Sequence, residues 1–124
     1  MSTIPKTSDI LWQDTQHRAL FETLDMMARP GAGREVLQRL QDYVNTHFAL
    51  EEEYMRALGY PGLEEHIRAH RRFQREVDSL FHSHGPDAPD FLPAASTFLT
   101  EWFLRHVMGI DKELEAFILE SGIK

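Results

Sequence analysis

Five histidines and two carboxylates fall at spacings suited to metal binding: His17 alone, then His47 with Glu51, His66 with His70, and His106 with Asp111. Residues four apart on a helix stand about one turn above one another, so the pairs His47/Glu51 and His66/His70 each aim two donors in one direction. His106 and Asp111 are five apart, about 140° around a regular helix, and reach different sides of a shared centre. Gly109 between them permits a locally loosened turn. An imidazole or carboxylate turned into a protein interior costs several kcal/mol when unpaired, so seven such groups need a common partner. Two divalent cations meet that need. Their roughly +4 of charge offsets both carboxylates and leaves capacity for a hydroxide or another anion.

These donors need rigid elements to hold them, and apolar residues at three-four spacing mark four helices separated by Pro and Gly signals. The first runs roughly from Asp9 to Ala28, with Ile10, His17, Leu20, Phe21 and Leu24 on one face, and ends at Arg29-Pro30-Gly31. The second carries Val36, Leu37, Leu40, Tyr43, Val44, His47, Phe48, Glu51, Met55 and Leu58, and Gly59 followed by Pro61 stops it. A third holds Leu63, His66, Ile67, His70, Phe73, Val77 and Leu80 and breaks at Gly85-Pro86. The fourth, from about Asp90 to Glu120, places Ala95, Phe98, Leu99, Trp102, His106, Val107, Ile110, Asp111, Leu114, Phe117 and Ile118 on a broad apolar side, with Pro93 in its first turn. Four helices of about 20 residues joined by short connections predict an all-α, antiparallel up-down-up-down four-helix bundle. Period-two alternation and Asn-Gly or Asp-Gly hairpin signals are missing.

Composition narrows the class. At 124 residues the chain reads as one domain, residues 1–124, with 42% hydrophobic and 27% charged residues, as in an ordinary globular protein. A formal charge of -7 argues against nucleic acid as a partner. No run of about 18 uncharged apolar residues offers a membrane span. Met1 to Trp12 hold Lys6 and Asp9 but no apolar block of signal-peptide type, which makes a cytoplasmic location the expectation. There are no cysteines, so any metal must bind through nitrogen and oxygen. His82 lies off the third stripe and His84 follows at its end; both are expected in solvent. Glu52 and Glu53 are expected on a solvated face beside Glu51, with Glu52 as an alternative hydrogen-bond acceptor behind the ligands.

The segments Asp14 through Phe21, His47 through Met55, Gly59-Tyr60-Pro61, His66 through His70 and Trp102 through Lys112 resemble the hemerythrins, bacterial ones in particular. The likeness covers nearly the whole chain in order. It implies reversible dioxygen binding at a non-haem pair of Fe ions joined by an oxo or hydroxo group, with dioxygen as the partner molecule. By that analogy His66, His70 and His106 hold one iron, His17 and His47 hold the other, and Glu51 and Asp111 bridge them. The two-histidine iron then keeps an open position. Leu20, Phe48, Trp102 and Val107, adjacent to ligands or one turn away, are expected to wall a dry oxygen pocket. One departure from the family pattern is a short N-terminal arm, with Gln13 where an apolar residue is usual. A more open bundle end, faster autoxidation and a sensing role follow as expectations from it.

Other readings compete. A carboxylate-bridged oxidase of ferritin type uses Glu-x-x-His on two helices, and neither that motif nor a His-Glu-x-x-His occurs here. Slow peroxidase or nitric oxide reductase chemistry at such a site stays open, as does a sensing module read by a separate protein partner that the sequence does not name. Imidazole and carboxylate donors also suit zinc, so the family resemblance, not the spacing, selects iron.

Overall fold

The computed structural model describes residues 6–82 and 91–122. The helices run α1 Leu11–Met27, α2 Arg34–Leu58, α3 Leu63–His82, α4 Phe91–Met108 and α5 Ile110–Ser121. The first three and the α4–α5 rod make the four members of an antiparallel bundle, in which α1 packs on α2 and α4, and α2 packs on α3. No strand occurs among the described residues, and none of their helices is long and apolar enough to cross a membrane.

Local chemistry sets the helix ends. Gly59 adopts the left-handed conformation (φ 66°, ψ 41°), its N–H donates to the Arg56 carbonyl, and the Tyr60 N–H donates to Met55 at 2.9 Å. This is a Schellman stop, and Pro61 follows it as the sequence predicts. Pro93 sits in the first turn of α4, where no intrahelical N–H is required of it. The fourth rod is not continuous. Gly109 (φ -112°, ψ -93°) interrupts it, with three-residue bonds from Gly109 N–H to His106 O and from Lys112 N–H to Gly109 O. The loosened turn expected between His106 and Asp111 is therefore present. The expected break at Gly85-Pro86, the start of the fourth helix near Asp90, and His84 lie outside the described residues.

The core has two parts. Leu20, Leu24, Leu40, Val44, Phe48, Phe73, Leu99, Phe103 and Val107 belong to the larger, and Ile10, Met55, Leu114 and Ile118 form the smaller. Each full burial of such a side chain contributes about 1.5–3 kcal/mol. Several candidate ligands fall between residues of the two parts: His17 between Ile10 and Leu20, Glu51 between Phe48 and Met55, Asp111 between Val107 and Leu114. A polar belt thus crosses the bundle between two apolar layers.

Two stripe assignments need correction. Tyr43 is 44% and Phe98 55% exposed, whereas Phe103, absent from the predicted face, is fully buried. Each helical residue advances about 100°, which carries Tyr43 a full step off Val44 and Phe98 off Leu99, beyond the edge of the inward sector. Phe103 lies four residues from Leu99 and returns to it.

Candidate metal centre

All seven candidate ligands are buried and converge on the belt. Glu51 Oε1 lies 3.0 Å from His70 Nε2 and 3.3 Å from His66 Nε2, while its Oε2 lies 3.2 Å from His47 Nε2 and 3.8 Å from His17 Nε2. Asp111 repeats the pattern: Oδ1 stands 2.9 Å from His66 Nε2 and 3.2 Å from His106 Nε2, and Oδ2 3.0 Å from His17 Nε2. Two donor groups result, Glu51, His66, His70, His106, Asp111 and His17, His47, Glu51, Asp111, with ligand atoms in each within 4.8 Å of one another. Both carboxylates belong to both groups.

The donor set fits a pair of cations. His17, His47, His66 and His106 Nε2 and both Asp111 oxygens are buried without an aligned hydrogen bond, although several stand near 3 Å from an opposing atom. Atoms bound about 2.1 Å from one ion, at right angles, are about 3.0 Å apart, so the spacing suits ligands sharing an ion. Protonation answers the same demand when no ion is bound. Burial lowers the affinity of His17 and His66 for protons, but Asp111 and Glu51 outweigh it and carry both up to about 9. Burial opposes ionisation of Glu51, yet the surrounding His47, His17 and His66 hold its carboxyl well below the usual range. Asp111, disfavoured by burial and by Glu51, is likewise lowered by His106 and His17. At His106 burial prevails over Asp111 and keeps the ring neutral at lower pH. The buried carboxylates stay ionised here because imidazoles surround them, two of which, His17 and His66, hold a proton up to about 9.

A family model described as the hemerythrin HHE cation binding domain matches residues 9–118. The chain belongs to the hemerythrin family. A bacteriohemerythrin of Stenotrophomonas maltophilia is 36% identical over 108 residues, 80% of this chain and 68% of that protein. The myohemerythrin of Riftia pachyptila is 33% identical over 98 residues, 79% of this chain and 76% of its own. A bacteriohemerythrin of Campylobacter jejuni is 27% identical over 125 aligned positions, 95% of this chain and 92% of its own. Membership supports a di-iron, oxygen-binding domain and implies a non-haem iron pair.

Behind the candidate ligands of this hemerythrin-family site, hydrogen bonds fix the tautomers of three of the five histidines. His70 Nδ1 donates to Glu52 Oε2 at 2.9 Å, and Glu52 is gripped in turn by Arg71 through two bonds of 2.8 and 3.0 Å. Burial opposes ionisation of Glu52, but His70 and Arg71 hold it ionised down to about 2. His47 Nδ1 donates to Gln16 Oε1 at 2.7 Å, and His17 Nδ1 to Thr7 Oγ1 at 2.9 Å, whose own hydroxyl donates to Asp14 at 3.0 Å. A proton fixed on Nδ1 leaves the Nε2 lone pair free to face inward. Glu52 is therefore the acceptor rather than a solvated residue, while Glu53 and His82 are exposed.

Sequence reasoning missed Thr7, Gln16 and the hydrogen bond that Gln13 donates to Glu51 Oε2 at 2.9 Å. Gln13 carries a signal, since it lies one turn before His17 on the inner face. Thr7 and Ser8 are buried, Ile10 is fully so, and Glu115 accepts the Asp9 N–H at 3.0 Å. Residues 7–10 thus lie over the bundle end expected to be open.

Two of the four residues expected to wall a pocket contact candidate ligands. Phe48 stacks on His70 with ring centroids 3.8 Å apart, and half-buried Trp102 stacks on His106 at 5.1 Å. Leu20 and Val107 are buried in the same cluster as Phe48. Phe103 adds an edge contact to His17 at 5.8 Å and lies 6.4 Å from His47.

Proposed function

We propose that this chain binds dioxygen reversibly, for carriage, storage or supply, at a non-haem di-iron centre within a single hemerythrin-like domain. His66, His70 and His106 would hold one iron and His17 and His47 the other, with Glu51 and Asp111, which belong to both donor groups, shared between them along with an oxo or hydroxo group. A bound iron pair would supply the reversible electron transfer that dioxygen binding requires. The carrying observation is the inequality of the donor groups, five residues against four with two carboxylates common to both. The four-residue side has one protein donor fewer, which leaves room there for a small ligand.

The remaining residues orient and exclude. Glu52, Gln16 and Thr7 keep the Nε2 atoms of His70, His47 and His17 aimed inward. Leu20, Phe48, Trp102, Val107 and Phe103 place hydrocarbon around the belt, which favours entry of an apolar diatomic and slows water and protons. A site with five imidazoles and two carboxylates stabilises high-valent iron less than a carboxylate-rich one, which favours binding over oxidation of substrates. The similarity to a bacteriohemerythrin and a myohemerythrin accords with an oxygen binder rather than an enzyme.

Gas uptake by the anaerobically reduced, iron-loaded chain tests this reading. One dioxygen taken up per iron pair, and returned under nitrogen, is expected. Continuous consumption in the presence of a reductant would replace binding with an oxidase function.

A further inference from the structure

Gln13 is fully buried, and a chain of hydrogen bonds fixes its orientation. The Ile10 N–H donates to Ser8 Oγ at 3.0 Å, the Ser8 hydroxyl donates to Gln13 Oε1 at 2.7 Å, and Gln13 Nε2 donates to Glu51 Oε2 at 2.9 Å. The ionised Glu51 can only accept, so the amide nitrogen must face it and the amide oxygen must face Ser8.

The oxygen chosen matters. Glu51 Oε2 is the one nearer His47 and His17, whereas Oε1 serves His66 and His70. Both Asp111 oxygens, by contrast, lack any hydrogen bond. A neutral donor on one oxygen of one shared carboxylate draws electron density from that oxygen and ties up one of its lone pairs. Charge-assisted bonds of this kind are strong, and groups behind a ligand tune the ion that the ligand holds. A poorer oxygen donor destabilises a trivalent ion more than a divalent one, because the higher charge gains more from each ligand electron.

Resting on the di-iron reading, we propose that Gln13 is a positioning residue that acts through Glu51 Oε2 to favour the ferrous state on the two-histidine side, with Ser8 holding its amide in register. The polar arm over this end of the bundle thereby becomes a control on iron oxidation.

Redox titration of the iron-loaded chain under nitrogen, with mediators and visible absorbance, compares the parent with Gln13→Met and Ser8→Ala. Methionine keeps the volume and removes the donor. The expected result for Gln13→Met is an increase of about tenfold in the ferric-to-ferrous ratio at fixed potential, a downward midpoint shift of about 59 mV for a one-electron couple. Ser8→Ala moves the midpoint the same way by less. Midpoints equal to the parent's in the variants that fold overturn the proposal, and a fall in Tm alone marks Gln13 as merely structural. Should Gln13→Met fail to fold, Ser8→Ala decides by itself. Iron content and oxygen uptake of the parent chain are read first, so failure of the di-iron reading is seen separately from failure of the role of Gln13.

Discussion

Removing the carboxylate behind His70 should weaken one metal ion and spare the other. Glu52→Ala deletes the acceptor 2.9 Å from His70 Nδ1 and leaves a buried N–H without a partner, at a stability cost of about 1–3 kcal/mol. The bonds lost by Arg71 add little, because that side chain is 45% exposed. Loss of a group that orients a ligand lowers metal affinity about ten- to a hundredfold, or roughly 1.4–2.7 kcal/mol. His70 belongs to the five-residue group alone, so that ion should carry the whole loss. Gln16→Ala is the mirror experiment. It strips the acceptor 2.7 Å from His47 Nδ1, and His47 belongs to the four-residue group alone. Anaerobic chelator competition that resolves two binding steps provides the assay, with Glu52→Gln, which keeps an acceptor, showing a smaller loss. The reasoning is refuted if both steps move together in either variant, or if neither moves beyond about twofold.

Gly109→Ala places a Cβ 2.8 Å from the Arg105 carbonyl oxygen, a backbone atom that cannot swing aside. A loss of about 1–3 kcal/mol in denaturant unfolding is expected, opposite in sign to the usual helical gain, and a gain would contradict the account of this break. Phe103→Ala opens a cavity beside His17 and His47 and should cost about 3–5 kcal/mol and shorten the life of the oxygenated protein more than Trp102→Ala, since Trp102 is only half-buried; equal lifetimes in parent and variants would remove the wall function. Metal uptake near pH 7.5 should release about two protons, from His17 and His66, as calorimetry in buffers of different ionisation enthalpy can measure. Their raised values stabilise the metal-free fold fully below about 6.5 and lose that effect as pH rises through about 9, so metal affinity should climb over the same window. Uptake without proton release would show the two rings to be neutral beforehand.

The bundle and the convergence of the seven donors were legible because helical periodicity is a local property, and polar donors on an apolar stripe stand out against it. His47 with Glu51 and His66 with His70 needed only the four-residue repeat. The same periodicity overreached at Tyr43 and Phe98, where an apolar residue at the rim of the stripe meets solvent, and it passed over Phe103 for its neighbour Trp102. Gly109 advertised the interruption of the fourth rod, since a glycine amid a helical pattern offers the backbone freedom the turn uses. Thr7 and Gln16 were not legible. Their hydrogen bonds to His17 and His47 join residues ten and 31 positions apart, and no local spacing encodes such pairings. Glu52 was ambiguous for a related reason: adjacent to Glu51 on a helix, it faces inward only because His70 and Arg71 of α3 reach it.

Iron analysis joined to visible spectroscopy under alternating nitrogen and air tests the central claim most directly. Two irons per chain are expected, with a charge-transfer band that rises in air, vanishes under nitrogen and survives repeated cycles. One iron or fewer per chain, or a spectrum that changes once in air and never returns, would contradict it.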